Sequence, residues 1–274
     1  MLPQSVLVIA DGVSHTLMRV LPYLVGMGIV FAGLSWWSPA NKGRPWWHKR
    51  GLATDICYWL VVPLINRFGR IGITVLITIY LLGINTTEGL VKFFENGHGV
   101  LARLPFWVQL AIYVLGSEFC LYWIHRAFHG KALWRYHAVH HASRDVEWIS
   151  AARFHPVNLL LGTVLVDVIA LLAGISPDVF LIMGPFDTIS SAFVHANLDW
   201  TLGPFKYVFA GPVFHRWHHT IEHGDKNFAG TFSVFDVMFG TFYMPEGVLP
   251  ENFGIEDAGM PESFGMQILY PVMP

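Results

Sequence analysis

Long apolar stretches separated by short polar segments dominate the first two thirds of the chain. Several of them approach the roughly 20 apolar residues that an α-helix needs to span a bilayer. The pattern predicts membrane helices at residues 16–37, 71–86 and 106–124, and a helical hairpin at 156–174 and 177–194. The hairpin is predicted to break at Gly174-Ile-Ser-Pro177-Asp178, where a glycine ends one helix and a proline begins the next.

A weaker apolar stretch at 52–65 contains Asp55 and Pro63. Its short length and polar content favour a re-entrant or interfacial helix that does not cross the membrane. Basic residues lie on both sides of it, between 42 and 50 and at 67 and 70, and basic loops favour the cytoplasmic face. On this scheme the 106–124 helix returns to the cytoplasmic face, and both hairpin ends lie there too. If 52–65 crosses, part of the scheme inverts.

The composition supports a membrane protein. Hydrophobic residues make up 54% of the 274 residues and charged residues only 13%, against about 25% charged residues in average soluble domains. A net charge of −2 without a basic run argues against a nucleic-acid partner. The region from 198 onward is rich in Gly and Pro and predicts a cap of short helices. The expected fold is therefore all-α, with polytopic membrane helices and a cytoplasmic helical cap.

Eleven of the fourteen histidines lie between residues 125 and 223, and eight of these form three clusters. Within each cluster the spacing is i, i+3 or i+4, which places side chains on one face of a helix. Imidazole is the commonest metal ligand and suits iron, zinc, copper and nickel. The pattern therefore predicts a dimetal site held by histidines: His125 and His129; His137, His140 and His141; His215, His218 and His219.

Further histidines extend this ligand set. The hairpin brings His195 to the same membrane face, so we expect it to bind metal. His155 is either a ligand or a hydrogen-bonding residue of the cap, and His223 is a ligand or orients one. So many histidines exceed what one structural or catalytic zinc needs. Two redox metals with four or five nitrogens each would use the set and keep open positions for oxygen. The isolated His15, His48 and His98 are predicted to lie outside the site.

Carboxylates are expected near such a centre, because neutral imidazoles leave the metal charge uncompensated and need hydrogen-bond partners that orient them. The candidates are Glu118, Asp145, Glu147, Asp187, Asp225 and Asp236, although Glu118 and Asp187 could instead pair helices within the membrane. The two cysteines, Cys57 and Cys120, lie far apart and form neither a CxxC motif nor an iron–sulfur ligand set.

The motifs resemble the fatty acid hydroxylase / sterol desaturase superfamily over roughly 116–241 and the tail. They are Glu118-Phe-Cys-Leu-Tyr-Trp-Ile-His125-Arg-Ala-Phe-His129, Leu133-Trp-Arg-Tyr-His137-Ala-Val-His140-His141, Arg153-Phe-His155-Pro156, His195-Ala-Asn197, His215-Arg-Trp-His218-His219, Asp225-Lys-Asn227-Phe and Phe239-Gly-Thr-Phe242. The Asp-Lys-Asn run is similar to that of bacterial members and alkylglycerol monooxygenase-like proteins. The chain departs from the family at Glu118 (often Asp), Asn158 (often Glu) and Ser191 (His in some members).

The resemblance implies a non-haem pair of iron ions that uses O2 to hydroxylate a C–H bond of a lipid. It adds Asn197 and Asn227 to the residues that orient the ligands. Electrons would come from an external ferredoxin, b-type cytochrome or reductase. The expected location is the bacterial inner membrane, with the site on the cytoplasmic face. The expected organisation is membrane helices at 1–115, a catalytic region at 116–243 and a cytoplasmic tail at 244–274.

Two other functions remain open. A desaturase uses the same metal centre, and ligand motifs do not separate it from a hydroxylase. A membrane metal transporter or metal-binding protein belongs to another class, but transporters place polar ligands near the bilayer midplane, whereas these clusters lie at helix ends. A zinc protease of the His-Glu-x-x-His type is excluded, because the chain has no such motif.

Overall fold

The computed structural model describes residues 4–43, 45–97, 99–257 and 259–273. His98, predicted to lie outside the site, falls outside these ranges. Within them the chain is helical and has no strand, apart from one isolated bridge between Thr220 and Phe253. The α-helices are α1 (Gln4–Trp37), α2 (Leu52–Leu82), α3 (Thr87–Asn96), α4 (Phe106–Phe128), α5 (Trp134–His141), α6 (Pro156–Leu159), α7 (Leu165–Ala173), α8 (Pro177–His195), α9 (Pro212–His218), α10 (Val234–Met238) and α11 (Phe264–Leu269).

Four helical segments are long and apolar enough to cross a membrane: Leu7–Trp37, Leu52–Leu82, Phe106–Phe128 and Pro156–Ala173. Large apolar side chains on these helices point outward, among them Ile29 of α1, Leu76 of α2 and Leu115 of α4. An outward apolar surface of this kind suits lipid rather than water. The prediction of an all-α integral membrane protein is therefore confirmed.

The prediction for residues 52–65 was wrong. They do not form a separate re-entrant or interfacial helix, because α2 runs without interruption through Pro63 to Leu82. Its 31 residues make it about 46 Å long, which exceeds the roughly 30 Å hydrocarbon core. Asp55 favoured the wrong prediction because its charge was counted as isolated, whereas in the first turn of α2 it is neutralised by ion pairs with Lys49 and Arg153. Residues 52–65 and 71–82 therefore belong to one helix that is long and apolar enough to span a membrane.

The hairpin of α6, α7 and α8 breaks where the sequence predicts. Gly174 ends α7 in the left-handed conformation, with φ of 101°, which glycine adopts at little cost. Ser176 caps α8 by accepting a hydrogen bond from the backbone NH of Asp178. The sequence did not reveal that α6 and α7 are joined by a π-helical turn at Leu160–Val164.

The cap forms where α1 ends, α2 begins, α4 ends, α6 begins and α8 ends. A 3₁₀-helix, Trp148–Ala152, fills its centre, and Trp148 is 1% exposed and packs against Phe31, Trp46 and Trp59. The C-terminal residues close the cap through α11, whose Phe264 ring contacts Tyr58 of α2 at 4.8 Å between centroids. All the helices that carry clustered histidines therefore end or lie at this one face.

Candidate metal centre

The histidine-bearing turns owe their positions to local helix geometry. His125 and His129 lie one turn apart at the end of α4, and His195 is the last residue of α8. The short helices α5 and α9 carry the two His-x-x-His-His clusters in or next to their last turns. Seven of these nine histidines are buried, while His125 and His129 are half-buried.

The nine rings form two groups of donor atoms, each within a span of 4.8 Å. The five-histidine group contains His125, His129, His137, His141 and His218. The four-histidine group contains His140, His195, His215 and His219. All nine histidines predicted as ligands are therefore brought into one of the two groups.

Each His-x-x-His-His cluster contributes to both groups. On α5, His137 and His141 join the five-histidine group, whereas His140 joins the other. On α9 the distribution is reversed: His215 and His219 join the four-histidine group and His218 the five-histidine group. The two groups are in contact, because the rings of His141 and His219 stack with centroids 4.5 Å apart. In each cluster, the two histidines four residues apart therefore join one group, and the histidine three residues after the first joins the other.

In the five-histidine group the inward nitrogens are close. Nε2 of His125 lies 2.9 Å from Nε2 of His137 and 2.9 Å from Nε2 of His218, and Nε2 of His141 lies 3.2 Å from that of His137. A metal bound to imidazoles at about 2.0–2.1 Å would separate neighbouring nitrogens by about 2.9–3.4 Å. The spacing of these atoms therefore fits the edges of a coordination polyhedron.

The four-histidine group has the same spacing. Nε2 of His195 lies 3.2 Å from that of His140, 3.2 Å from that of His215 and 3.1 Å from that of His219. Neither group contains a thiol or a carboxylate. All-imidazole donors suit iron, zinc, copper and nickel, and they do not suit an iron–sulfur cluster or a calcium site.

The hydrogen-bond partner of the outward nitrogen of each ring determines which of the two ring nitrogens carries the proton. In four rings Nδ1 faces a backbone carbonyl, which only accepts hydrogen bonds, so Nδ1 is protonated and Nε2 keeps its lone pair. The pairs are His125 with Phe228 at 2.6 Å, His140 with Arg153 at 3.1 Å, His195 with Ser191 at 2.7 Å and His218 with Lys226 at 2.6 Å. Lone pairs that face one another across about 3 Å repel, and a cation between them removes the repulsion. The donor set therefore fits a metal site.

Burial keeps the clustered histidines in the neutral form that binds metal. It lowers the pKa of His137, His140, His141, His215, His218 and His219 well below the usual value of 6.5. In each case a neighbouring histidine lowers the pKa further, because two imidazolium charges would repel. Ring atoms without a hydrogen-bond partner in the described ranges are Nε2 of His129 and Nδ1 of His215 and His219.

Two further candidates lie outside both groups. His155 is the N-cap of α6, where its Nδ1 accepts a hydrogen bond from the backbone NH of Val157 and its Nε2 faces the carbonyl of Ile268 at 3.0 Å. Both ring nitrogens are thereby occupied. His223 stacks on Tyr243, with centroids 4.1 Å apart. The geometry of His155 matches the hydrogen-bonding alternative considered for it.

None of the residues expected to orient the ligands makes a hydrogen bond to a ring of either group within the described ranges. Glu118 accepts hydrogen bonds from Thr231, at 2.7 Å from its hydroxyl, and Asp187 lies close enough to Glu118 for their charges to interact. Asp225 is exposed at the surface, where it pairs with Lys226. Asn197 exchanges hydrogen bonds with the backbone of Asn41 at 2.9 and 3.0 Å.

Asn227 acts on the centre through the backbone. It donates hydrogen bonds to the carbonyls of Phe214 and Tyr243, and its φ of 56° turns the chain sharply. Asp236 holds the same loop, because its carboxylate accepts hydrogen bonds from the backbone NH groups of Phe228 and Ala229. The carbonyls on either side of Asn227 are those that accept from His218 and His125.

Sequence analysis missed the role of Asn158. Its Oδ1 lies 2.7 Å from Nδ1 of His137, which makes it the one side chain, among the described residues, that orients a ring of either group. The signal was present, because Asn158 was noted as a departure from the glutamate common in the family. A neutral amide here accepts the same hydrogen bond without adding a charge.

Comparison with known proteins agrees with this site. Residues 110–241 match the fatty acid hydroxylase family. The chain is 32% identical over 154 residues to the ornithine lipid hydroxylase OlsE of Rhizobium tropici, covering 55% of this chain and 46% of that protein. It is 31% identical over 131 residues to human alkylglycerol monooxygenase, covering 47% of this chain and 29% of that protein.

A third relative, methylsterol monooxygenase 2-2 of Arabidopsis thaliana, is 28% identical over 147 residues, covering 50% of this chain and 55% of that protein. The chain thus spans about half or less of the length of these curated relatives. No solved structure matches it. The resemblance inferred from the motifs is confirmed by the family match and by these relatives.

Proposed function

We propose, from the premise that this chain carries a fatty acid hydroxylase domain, that it is a membrane-bound di-iron oxygenase. It hydroxylates a C–H bond of a lipid with O2 and external electrons. The observation that carries the proposal is the pair of adjacent histidine groups at the cap face of four apolar helices. The nine grouped histidines are the proposed ligands, and 116–243 is the proposed catalytic region, with 244–274 as a tail that completes the cap.

Two iron ions would supply the activation of O2 and the removal of a hydrogen atom from an unactivated carbon. The chain's own contribution is to hold the lone pairs of five of the nine rings in place before any metal arrives. It does so with the carbonyls of Arg153, Ser191, Lys226 and Phe228 and the amide of Asn158. Burial also keeps these rings neutral and excludes water from the reacting groups.

The two groups differ in their access to the surroundings. The four-histidine group is fully buried, with each member at most 4% exposed. The five-histidine group has two half-buried members, His125 and His129, at the end of α4. We therefore assign the approach of O2 to the α4 side of the five-histidine group.

The proposed substrate is a membrane lipid: a fatty acyl chain, a sterol-like polycycle, an ether lipid or an amino-lipid. The names of the relatives span ornithine lipid, alkylglycerol and methylsterol. Cys57 and Cys120 lie outside both histidine groups, so we assign the electrons to a separate ferredoxin, b-type cytochrome or reductase. We also propose a bacterial inner membrane with the site on its cytoplasmic face, because Lys42, Lys49 and Arg50 lie between α1 and α2 at the cap and basic loops favour the cytoplasm.

Lipid mass spectrometry of cells with and without the gene tests the function. Hydroxylation predicts a lipid that gains one oxygen atom, and its absence would contradict the proposal. Loss of two hydrogen atoms would indicate a desaturase on the same centre. Metal uptake into vesicles without oxygen consumption would indicate a transporter.

Two variants complete this test. His218→Ala removes a ligand of the five-histidine group and should abolish the product and lower bound iron. His48→Ala alters an exposed histidine outside both groups and should leave product and iron unchanged. Full activity of His218→Ala would contradict the ligand assignment.

A further inference from the structure

A polar cavity of about 520 Å³ opens on the cap beside the four-histidine group. Its floor includes Arg216, which lies between two ligands on α9, and Asn197, two residues beyond His195. Neither residue belongs to a histidine group. A cavity of this size is comparable to the pockets of about 300–1,000 Å³ that hold small ligands.

Two buried charged side chains line the cavity with unsatisfied atoms. Glu147 is 5% exposed, and one of its oxygens accepts a hydrogen bond from the backbone NH of Ser150. Its Oε2 makes no hydrogen bond of good geometry among the described residues, although Arg216, Lys49 and Asn197 lie near the carboxylate. Arg216 is 1% exposed and binds the carbonyl of Val146 and the side chain of Asn41, but its Nε is likewise unpaired in the described ranges. Such atoms cost about 1–3 kcal/mol each unless water or a ligand meets them.

The charges around the cavity favour an anion. Five cations and three carboxylates line it: Lys42, Lys49, Arg50, Arg144, Arg216, Asp145, Glu147 and Glu251. Lys49 already forms an ion pair with Asp55, and Arg50 forms one with Asp145. Lys42 and Arg144 are exposed at the rim and have no ion-pair partner among the described residues. An anion at the rim would meet these two free cations.

A lipid suits the surroundings better than a soluble metabolite. Below the cap, an apolar groove of about 390 Å³ runs along α1 from Pro22 to Phe31, with Ile189 of α8 on its other side. The same helix ends at Trp37, four residues before Asn41 at the cavity. Acyl chains can occupy the groove while the head group occupies the cavity. An acidic protein surface would meet the rim cations but would leave the buried Glu147 oxygen unsatisfied.

We infer that this cavity binds the head group of the substrate lipid, and that the head group carries both an anionic group and a protonated amine. The anionic group lies between Lys42 and Arg144, and the amine donates a hydrogen bond to Oε2 of Glu147. This inference rests on the proposed function and specifies its substrate class. Two kinds of lipid share this chemistry: those with a phosphate and an amine, and those with an amino-acid carboxylate and an amine.

Calorimetric titration of the purified, metal-free full chain in detergent tests the inference with four soluble probes. Short-chain phosphatidylethanolamine and a short-chain N-acylornithine carry an anion and an N–H donor. Short-chain phosphatidylglycerol lacks the amine, and short-chain phosphatidylcholine lacks the N–H. We expect at least one of the first two to bind about tenfold more tightly than the last two. The tighter of the first two identifies the kind of lipid. Equal affinity for all four probes would overturn the inference.

Variants separate the two contacts. Glu147→Gln keeps the hydrogen bond to Ser150 but loses the charge, and should weaken amine-bearing probes about tenfold while sparing phosphatidylglycerol. Arg144→Gln alters an exposed side chain without disturbing the fold, and should weaken every anionic probe. Glu95→Gln on α3 is the matched control and should change nothing. Unchanged probe binding in the first two variants would overturn the inference. So would an Arg144→Gln variant that binds every probe normally but binds the electron donor more weakly.

These titrations need neither metal nor oxygen. Intact binding without lipid hydroxylation would contradict the proposed function but not the cavity. Hydroxylation without selective binding would contradict the cavity but not the function.

Discussion

Asn158 offers a specific test of how the protein prepares its metal site. His137 is 1% exposed, and the Asn158 amide is the acceptor that faces its Nδ1. Asn158→Ala would leave that N–H buried without a partner, at a cost of about 1–3 kcal/mol. The ring could then move its proton to Nε2, the nitrogen needed for metal. We expect metal affinity at the five-histidine group to fall roughly 10–100-fold.

Competition with a chelator, followed by metal analysis, measures this effect. Wild type should retain two ions per chain at a chelator concentration where Asn158→Ala retains about one. The four-histidine group should keep its ion, because His140 and His195 rely on backbone carbonyls that the substitution leaves in place. Asn158→Asp restores an acceptor and should hold both ions at least as tightly as wild type, since a carboxylate makes a stronger hydrogen bond.

The reasoning would be refuted if Asn158→Ala retained both ions at wild-type affinity. It would also fail if Asn158→Asp lost metal to the same extent as Asn158→Ala. In that case the amide would matter for packing and not for its hydrogen bond to His137.

Three further predictions follow from buried groups. His140→Gln should lower the metal content of the four-histidine group and abolish lipid hydroxylation, whereas His48→Gln should leave both unchanged; metal analysis of the two purified variants decides. Asp55→Asn leaves two buried cations unpaired and should lower the free energy of unfolding by about 3–5 kcal/mol, so an unchanged thermal melt in detergent would contradict it. Burial raises the pKa of Glu147 from 4.5 to about 7, so its contribution to stability declines as the pH rises from 4.5 through 7. At pH 8 the free energy of unfolding of Glu147→Gln should therefore exceed that of wild type by about 3 kcal/mol, and its melting temperature should be higher. Both differences should vanish near pH 4.5. Equal melting temperatures at pH 8 would count against this account.

The sequence predicts the donors of the candidate site well, because helical spacing is a local property. His137, His140 and His141 share a face from their positions alone, and all nine residues proposed as ligands lie in the two groups. Their division between the groups depends on how α5 and α9 pack, which no local pattern contains. The sequence also does not indicate which backbone carbonyls orient the rings, because every residue has one.

The error at 52–65 has a different cause. Hydropathy counts Asp55 as an isolated charge, whereas two basic partners neutralise it in the fold. One of them, Arg153, lies about a hundred residues away along the chain, so the pattern around α2 could not indicate the pairing. Asn158 was noted only as a departure from the family's glutamate, because its partner, His137, lies on another helix.

The central claim is that two metal ions are held by histidine nitrogens at one membrane face. Metal analysis combined with X-ray absorption on the purified chain tests it most directly. The account predicts two iron ions per chain, each surrounded by nitrogen and oxygen atoms with no sulfur. A single ion per chain, or a sulfur ligand at either ion, would contradict it.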